Sequence, residues 1–273
     1  VIKLTGEIYQ KGEMEKNSPQ MLKAYMWRMK YRDMLTPDSL YTGLQELKQW
    51  AKQADKPMDR AILHSLIAGM YADYAANNQW QLRQRTEIAG EAPSADMREW
   101  TANMFVEKVR TNVKEAMADS VLLLNTSSRT YIPFVELGET SEYYHHDMYH
   151  LLASRSIEAL QRIQGLDRTT PIEAYSEETS SEKESLVKQD IERIYDQMLT
   201  SYKAKGDKEG CLLTSLNYLN WKHGTSKSFR EPFRVKKGGT YMTFDPYETG
   251  LDALKTEYKS LDLCAEVYLA QAN

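Results

Sequence analysis

An all-α fold, laid out as an irregular antiparallel array of α-hairpins with a tetratricopeptide-like or solenoid-like character and no substantial sheet, is what this sequence predicts. Three observations carry that prediction. The longest periodic run, Asp59 to Glu87, places Ile62, Leu66, Met70 and Tyr74 on one row and Leu63, Ile67 and Tyr71 on the next, and spacings of four residues build a broad apolar stripe. Proline and glycine are sparse, 8 and 13 in 273 residues, beside 18 Tyr and 13 Met, which suits helices with occasional breaks better than a sheet rich in tight turns. Connections between periodic segments are a few residues long, which makes successive helices antiparallel neighbours.

Taken in order, Val1 to Lys16 predicts a first helix through Ile2, Leu4, Ile8 and Tyr9, interrupted by Gly6 and Gly12. Asn17-Ser18-Pro19 is a start signal, a serine cap with proline at the first helical position, and Met21, Leu22, Tyr25, Met26 and Met29 form the stripe behind it. Thr36-Pro37 repeats the signal for a third helix carrying Leu40, Leu44, Leu47 and Ala51, until Asp55-Lys56-Pro57 introduces the central helix. After a polar break at Ala89 to Ala95, Trp100, Met104, Val109 and Val113 mark a fifth helix to about Asp119. Ser120 to Thr140 predicts short turns, because Pro133 and Gly138 forbid a continuous helix. Glu142 to Gln164 returns to helical spacing through Met148, Leu152, Ala159 and Ile163, with Gly165 at the stop.

Thr169 to Ser180, polar and containing Pro171, is the candidate boundary between an N-terminal helical part, 1–168, and a C-terminal helical-hairpin part, 181–273, unless the two make one continuous domain. Ser181 with Glu184 has the spacing of a capping box ahead of Val187, Ile191, Ile194, Met198 and Tyr202. Gly206-Asp207 turns the chain into a return helix with Leu212, Leu213, Leu216 and Leu219. His223 to Pro246 predicts the longest irregular stretch, with Lys236-Lys237-Gly238-Gly239 as a basic loop tip, before helices over Tyr247 to Tyr258 and Leu261 to Gln271. The tetratricopeptide consensus is not present, and the unequal helix lengths argue against a regular array.

Composition narrows the function classes. With 35 basic and 39 acidic side chains the formal net charge is -4, and no run of like charge forms the footprint of a nucleic-acid binder. No window approaches the ~20 consecutive apolar residues of a membrane span. Val1 is neither an initiator Met nor part of a signal peptide, so the expectation is a piece of something longer. Cys211 and Cys264 are too few for a disulfide framework and have no metal-ligand spacing; whether they pair stays open.

One cluster invites a chemical hypothesis. Glu142, His146 and His150 fall four apart, which on a single helix face is metal-ligand spacing, with His145 and Asp147 beside them. Zinc held by two such histidines needs a third ligand and a nearby base, and the residue after His146 is Asp147 where H-E-x-x-H has Glu. A solvated capping region is the commoner origin of such a cluster, so the expected metal and cofactor content is none, with Glu142, His146 and His150 kept as the weak candidate ligands. Phosphate-binding glycine patterns and G-x-S-x-G are missing, and no catalytic residues are assigned. Trp27, Trp50, Trp80, Trp100 and Trp221 sit on or beside helical stripes and are expected in the core, unless a concave face exposes several together.

AILHSLIAGMY (61–71), NNQWQLRQRTE (77–87), DMREWTANMF (96–105) and LLASRSIEAL (151–160), joined by NSPQMLKAYMWRMKY (17–31) and YKAKGDKEGCLLTSLNYL (202–219), together resemble the N-terminal helical region of the very large alpha-2-macroglobulin family proteins of Bacteroidetes. The likeness lies in the order of these phrases and touches most of the chain. It implies an exported cell-envelope protein, periplasmic, secreted or lipid-anchored at the outer membrane, whose macroglobulin domains follow the helices and trap or inhibit proteases. HHDMYH (145–150) departs from the family's pattern. Cys264-Ala265-Glu266-Val267 falls one residue short of the family's Cys-x-Glu-Gln thioester, because Val267 lacks the side-chain carbonyl that would form the bond. The expected function is a non-enzymatic helical scaffold or docking module whose partners are proteins, the remainder of its own chain and possible target proteases. The alternative is a free-standing helical-repeat module that binds a peptide or glycan, and a metal hydrolase on His146 and His150 ranks last.

Overall fold

The computed structural model describes residues 1–36, 39–85, 94, 96–167, 185–226, 229, 232–237 and 240–272. Among these the secondary structure is helix, apart from one short hairpin, as the periodicity predicts. The contacts divide the chain into two compact units, residues 1–139 with 146–191 and residues 140–145 with 192–273. The sequence reading placed the boundary in 169–180, which lies outside the described residues.

In the first unit the organising element is α4 (Pro57–Asn77). Its buried residues lie on nearly every side, with Ile62, Leu63, Leu66, Ile67, Tyr71 and Ala72 among them. A helix that is apolar this far round needs several neighbours. It has α3 (Ser39–Gln53), α6 (Ala102–Ala116) and α8 (Met148–Ile163) packed against it. The long run does not continue to Glu87. It breaks at Asn78, whose side-chain amide donates to the Tyr74 carbonyl at 2.8 Å, and a short α5 (Gln79–Gln84) follows. Asparagine competes for helix-terminal carbonyls in this way, so a sequence of unbroken apolar spacing still ends there.

Ahead of α4, α1 (Ile2–Met14) packs on α2 (Ser18–Leu35), and α2 on α3. Gly6 and Gly12 do not interrupt α1. A Cβ on Gly12 would lie 3.0 Å from Met21 Cγ, so the glycine is where the two helices approach closest. The cap of α2 is Asn17, whose side chain accepts from Gln20 N, and not Ser18. Ser18 is released for another bond: its hydroxyl donates to Asp59 Oδ2 at 2.6 Å.

Beyond α6, a short α7 (Ser120–Asn125) packs on α8, and a 3-10 turn at Ser128–Tyr131 reaches α2. The backbone then closes on itself, Ser128 N donating to the His146 carbonyl at 2.8 Å and Met148 N to the Thr126 carbonyl at 2.9 Å. After α8 and a 3-10 turn at Gln164–Leu166, Asp167 accepts from Ser185 Oγ and Val187 N, tying down the start of α9 (Leu186–Lys205). The capping box proposed at Ser181 and Glu184 lies outside the described residues.

The second unit is built on the antiparallel pair α9 and α10 (Lys208–Thr225). The turn between them is a Schellman motif: Asp207 N donates to the Tyr202 carbonyl, Gly206 N to the Lys203 carbonyl, and Gly206 has φ +68°. Asp207 then caps α10 by accepting from Gly210 N. Tyr195 stacks on Tyr218 with ring centroids 4.7 Å apart, and Trp221 lies beside both. The stretch expected to be irregular holds a hairpin, β1 (Phe233–Lys237) antiparallel to β2 (Thr240–Phe244), with Lys237 paired to Thr240. The sequence's Lys236-Lys237-Gly238-Gly239 tip falls partly on residues 238 and 239, which lie outside the described residues. Two helices complete the unit, α11 (Pro246–Tyr258), packed on α10, and α12 (Cys264–Ala272), packed on α11.

Candidate functional site

The face expected to carry Glu142, His146 and His150 does not exist, because no helix runs through 142–150. Glu142 belongs to a 3-10 turn, Glu139–Tyr143, and α8 begins only at Met148. His146 is in extended backbone with its carbonyl taken by Ser128 N. Asp147, also extended, is the cap of α8 and accepts from His150 N at 2.7 Å. The sequence signal misled because Asp is among the strongest cap formers, so a helix starts after Asp147 rather than running through it. His145 Nε2 lies 3.8 Å from Asp207 Oδ2 within the second unit. Among the described residues no three His, Cys, Asp or Glu side chains converge as a metal site.

Both cysteines are buried and free. Burial, with the Asp207 charge nearby, pushes the Cys211 thiol up, away from the reactive thiolate. The tryptophans divide. Trp100 and Trp221 are core residues, as expected, whereas Trp80 is 73% exposed and Trp27 is 40% exposed. Trp50 forms an edge-to-face cluster with Tyr9 and Tyr25, at 5.7 Å from each.

Trp27 marks the more informative feature of the first unit, a cleft of about 410 Å³ between α2, α4, α8 and the segment 134–136. Ile62, Leu66, Leu151 and Leu152 contribute its apolar lining from α4 and α8, and Met26 and Trp27 line it from α2. Cations stand around it. Lys23 pairs with Glu136 at 3.0 Å, Lys30 lies over the Trp27 ring at 5.0 Å, and Arg155 makes no ion pair among the described residues. Ser65 also lines the cleft; it is 5% exposed, and its Oγ has no hydrogen-bond partner among the described residues. An apolar cavity with a few polar groups at its edge is the usual form of a binding site, and Met and Trp are the side chains such sites favour.

Sequence reasoning missed this cleft. The signal available was on α2, where Lys23, Met26, Trp27 and Lys30 recur at three and four residues and so share one face. Nothing in the sequence announced Arg155 as their neighbour.

Next to it, on the other side of α2, Glu46 accepts from Arg32 Nη1 at 3.0 Å and from Tyr25 OH at 2.9 Å, with Arg28 Nη2 at 3.8 Å. Arg28 also lies over the Tyr9 and Tyr25 rings. Tyr9, Tyr25, Arg28 and Glu46 line a polar groove with Trp50 and Asp59. Compared with known proteins, the chain matches no family model, no curated protein and no solved structure.

Proposed function

We propose that this chain is a non-catalytic helical docking module of a macroglobulin-like cell-envelope protein, one whose later domains trap or inhibit proteases. The family context rests on the resemblance of the ordered phrases between Asn17 and Leu219. The observation that carries the docking role is the cleft beside Trp27, an apolar floor rimmed by Lys30 and Arg155. It suits a protein segment that presents a bulky apolar side chain next to carboxylates.

The test is the intact mass of the native gene product in cell envelopes, detected with antiserum against this chain. A product several-fold heavier than 31.6 kDa supports a module of a long chain. A product near 31.6 kDa sinks the macroglobulin context. The second reading, a free-standing module for a peptide or glycan, then takes its place, favoured by the Tyr9, Tyr25 and Trp50 cluster lining the polar groove. No helix among the described residues is long and apolar enough to cross a membrane.

A further inference from the structure

Another cavity of the first unit, about 680 Å³ between α3, α4 and α6, gathers three lysines. Lys48 and Lys52 stand one turn apart on α3, and Lys108 reaches the same space from α6. None of the three makes an ion pair among the described residues. Burial lowers the Lys48 ammonium below its ordinary value, and the charges of Lys52 and Lys108 lower it further. Glu107 also lines the cavity, yet it does not enter the surroundings that set Lys48. Three like charges against one lining carboxylate, Glu107, with which none of them forms an ion pair among the described residues, are unfavourable in the empty protein, and an anion removes that penalty.

The floor makes a second, independent case. Tyr71 is 2% exposed and lines the cavity, and its hydroxyl has no hydrogen-bond partner among the described residues. Burial, with Tyr41 nearby, pushes its phenol up to about 12, so the group keeps its proton and is a donor without an acceptor. His64 is held at the wall by Asn112, Nδ1 to Oδ1 at 2.8 Å. Ile67, Trp100 and Met104 supply apolar surface. Lysine ammoniums are compact point charges that suit a charged oxyanion without demanding a planar fork, unlike arginine.

We propose that this cavity binds a small, multiply charged oxyanion, either a phosphate ester or a polycarboxylate, held by Lys48, Lys52 and Lys108 with Tyr71 donating from below. The site is separate from the Trp27 cleft, and its success or failure is independent of the docking reading.

The experiment is calorimetric titration of the whole chain at low ionic strength with pyrophosphate and, separately, citrate, using acetate as the singly charged control. At least one of the two binds saturably, with Kd on the order of 0.1 mM, and the affinity falls as salt is added. Lys48→Met together with Lys108→Met weakens it roughly tenfold or more. Tyr71→Phe weakens it several-fold while leaving the ring against Trp100. Should Lys48→Met lower the yield of folded protein, Lys52→Met and Lys108→Met, both at exposed positions, give the same reading. Pyrophosphate alone binding assigns the site to phosphate esters, and citrate alone assigns it to polycarboxylates. No saturable heat with either, acetate binding as well as they do, or affinity unchanged in the lysine variants overturns the proposal.

Discussion

Asp59 shows how one residue holds several segments of the first unit together. It is 7% exposed, and its two oxygens accept from Ser18 Oγ at 2.6 Å and Tyr131 OH at 2.7 Å, while Lys56 Nζ donates to Ser18 at 3.0 Å. Three stretches far apart in sequence therefore meet on one carboxylate. Asp59→Ala leaves two buried hydroxyls without their acceptor and is expected to lower stability by about 3 kcal/mol in urea unfolding, against about 1 kcal/mol each for Ser18→Ala and Tyr131→Phe. A loss for Asp59→Ala no larger than for either single hydroxyl variant would refute that role.

Glu46 carries a pH dependence. Burial by itself raises its carboxyl, but the hydrogen bonds from Arg32 and Tyr25 and the charges of Arg32 and Arg28 together outweigh burial and set it below its ordinary value near 4.5. A carboxylate depressed in the folded state stabilises the fold above the unfolded value, and that contribution disappears as pH falls through the folded value. Glu46→Gln is therefore expected to flatten the acid side of the melting-temperature profile, as pH falls through and below the ordinary value near 4.5, with its largest deficit relative to the native chain near neutrality. Parallel profiles for the two proteins would exclude this assignment.

At the scale of elements, two helix ends use the same left-handed residue with different chemistry. Gly206, φ +68°, closes α9, whereas Lys16, φ +53°, occupies the equivalent place after α1, with Asn17 N donating to the Gly12 carbonyl and Lys16 N to the Glu13 carbonyl. A side chain in that conformation costs about 1 kcal/mol relative to glycine. Gly206→Ala is thus expected to destabilise by roughly 1 kcal/mol and Lys16→Gly to stabilise by about 0.5–1 kcal/mol, read from thermal unfolding. Changes of the opposite sign would mean that the turns relax.

Much at this scale was legible in advance. The stripes of α2, α3, α6, α8, α9 and α10 and the turn at Gly206-Asp207 follow from period and turn chemistry, which act over a few residues. The hairpin was not read in advance, since 223–246 was expected to be irregular, although Phe233 and Val235 alternate in strand fashion. What misled was punctuation. Gly6 and Gly12 looked like breaks, but the helix runs through both, and at Gly12 the close approach of Met21 needs the glycine; Asn78 and Asp147 looked like passengers and are helix ends.

For the molecule as a whole, the expected far-UV circular dichroism is the double minimum of helix with a small strand contribution from the one hairpin. A spectrum dominated by strand would contradict the architecture. The candidate sites belong to this scale as well. Lys48 and Lys108, or Trp27 and Arg155, lie far apart in sequence and share a cavity only because α3, α6 and α8 all pack around α4.

The sequence by itself determined the class and most helices with their buried faces, because those depend on local periodicity and local capping. Only the tertiary structure decided the rest. It dismantled the Glu142, His146 and His150 face by pairing 126–128 with 146–148, and it brought lysines from separate helices to one wall. Both outcomes depend on contacts between distant segments, and a helical period of 3.6 residues fixes which way a side chain points on its own helix but not which helix it will meet.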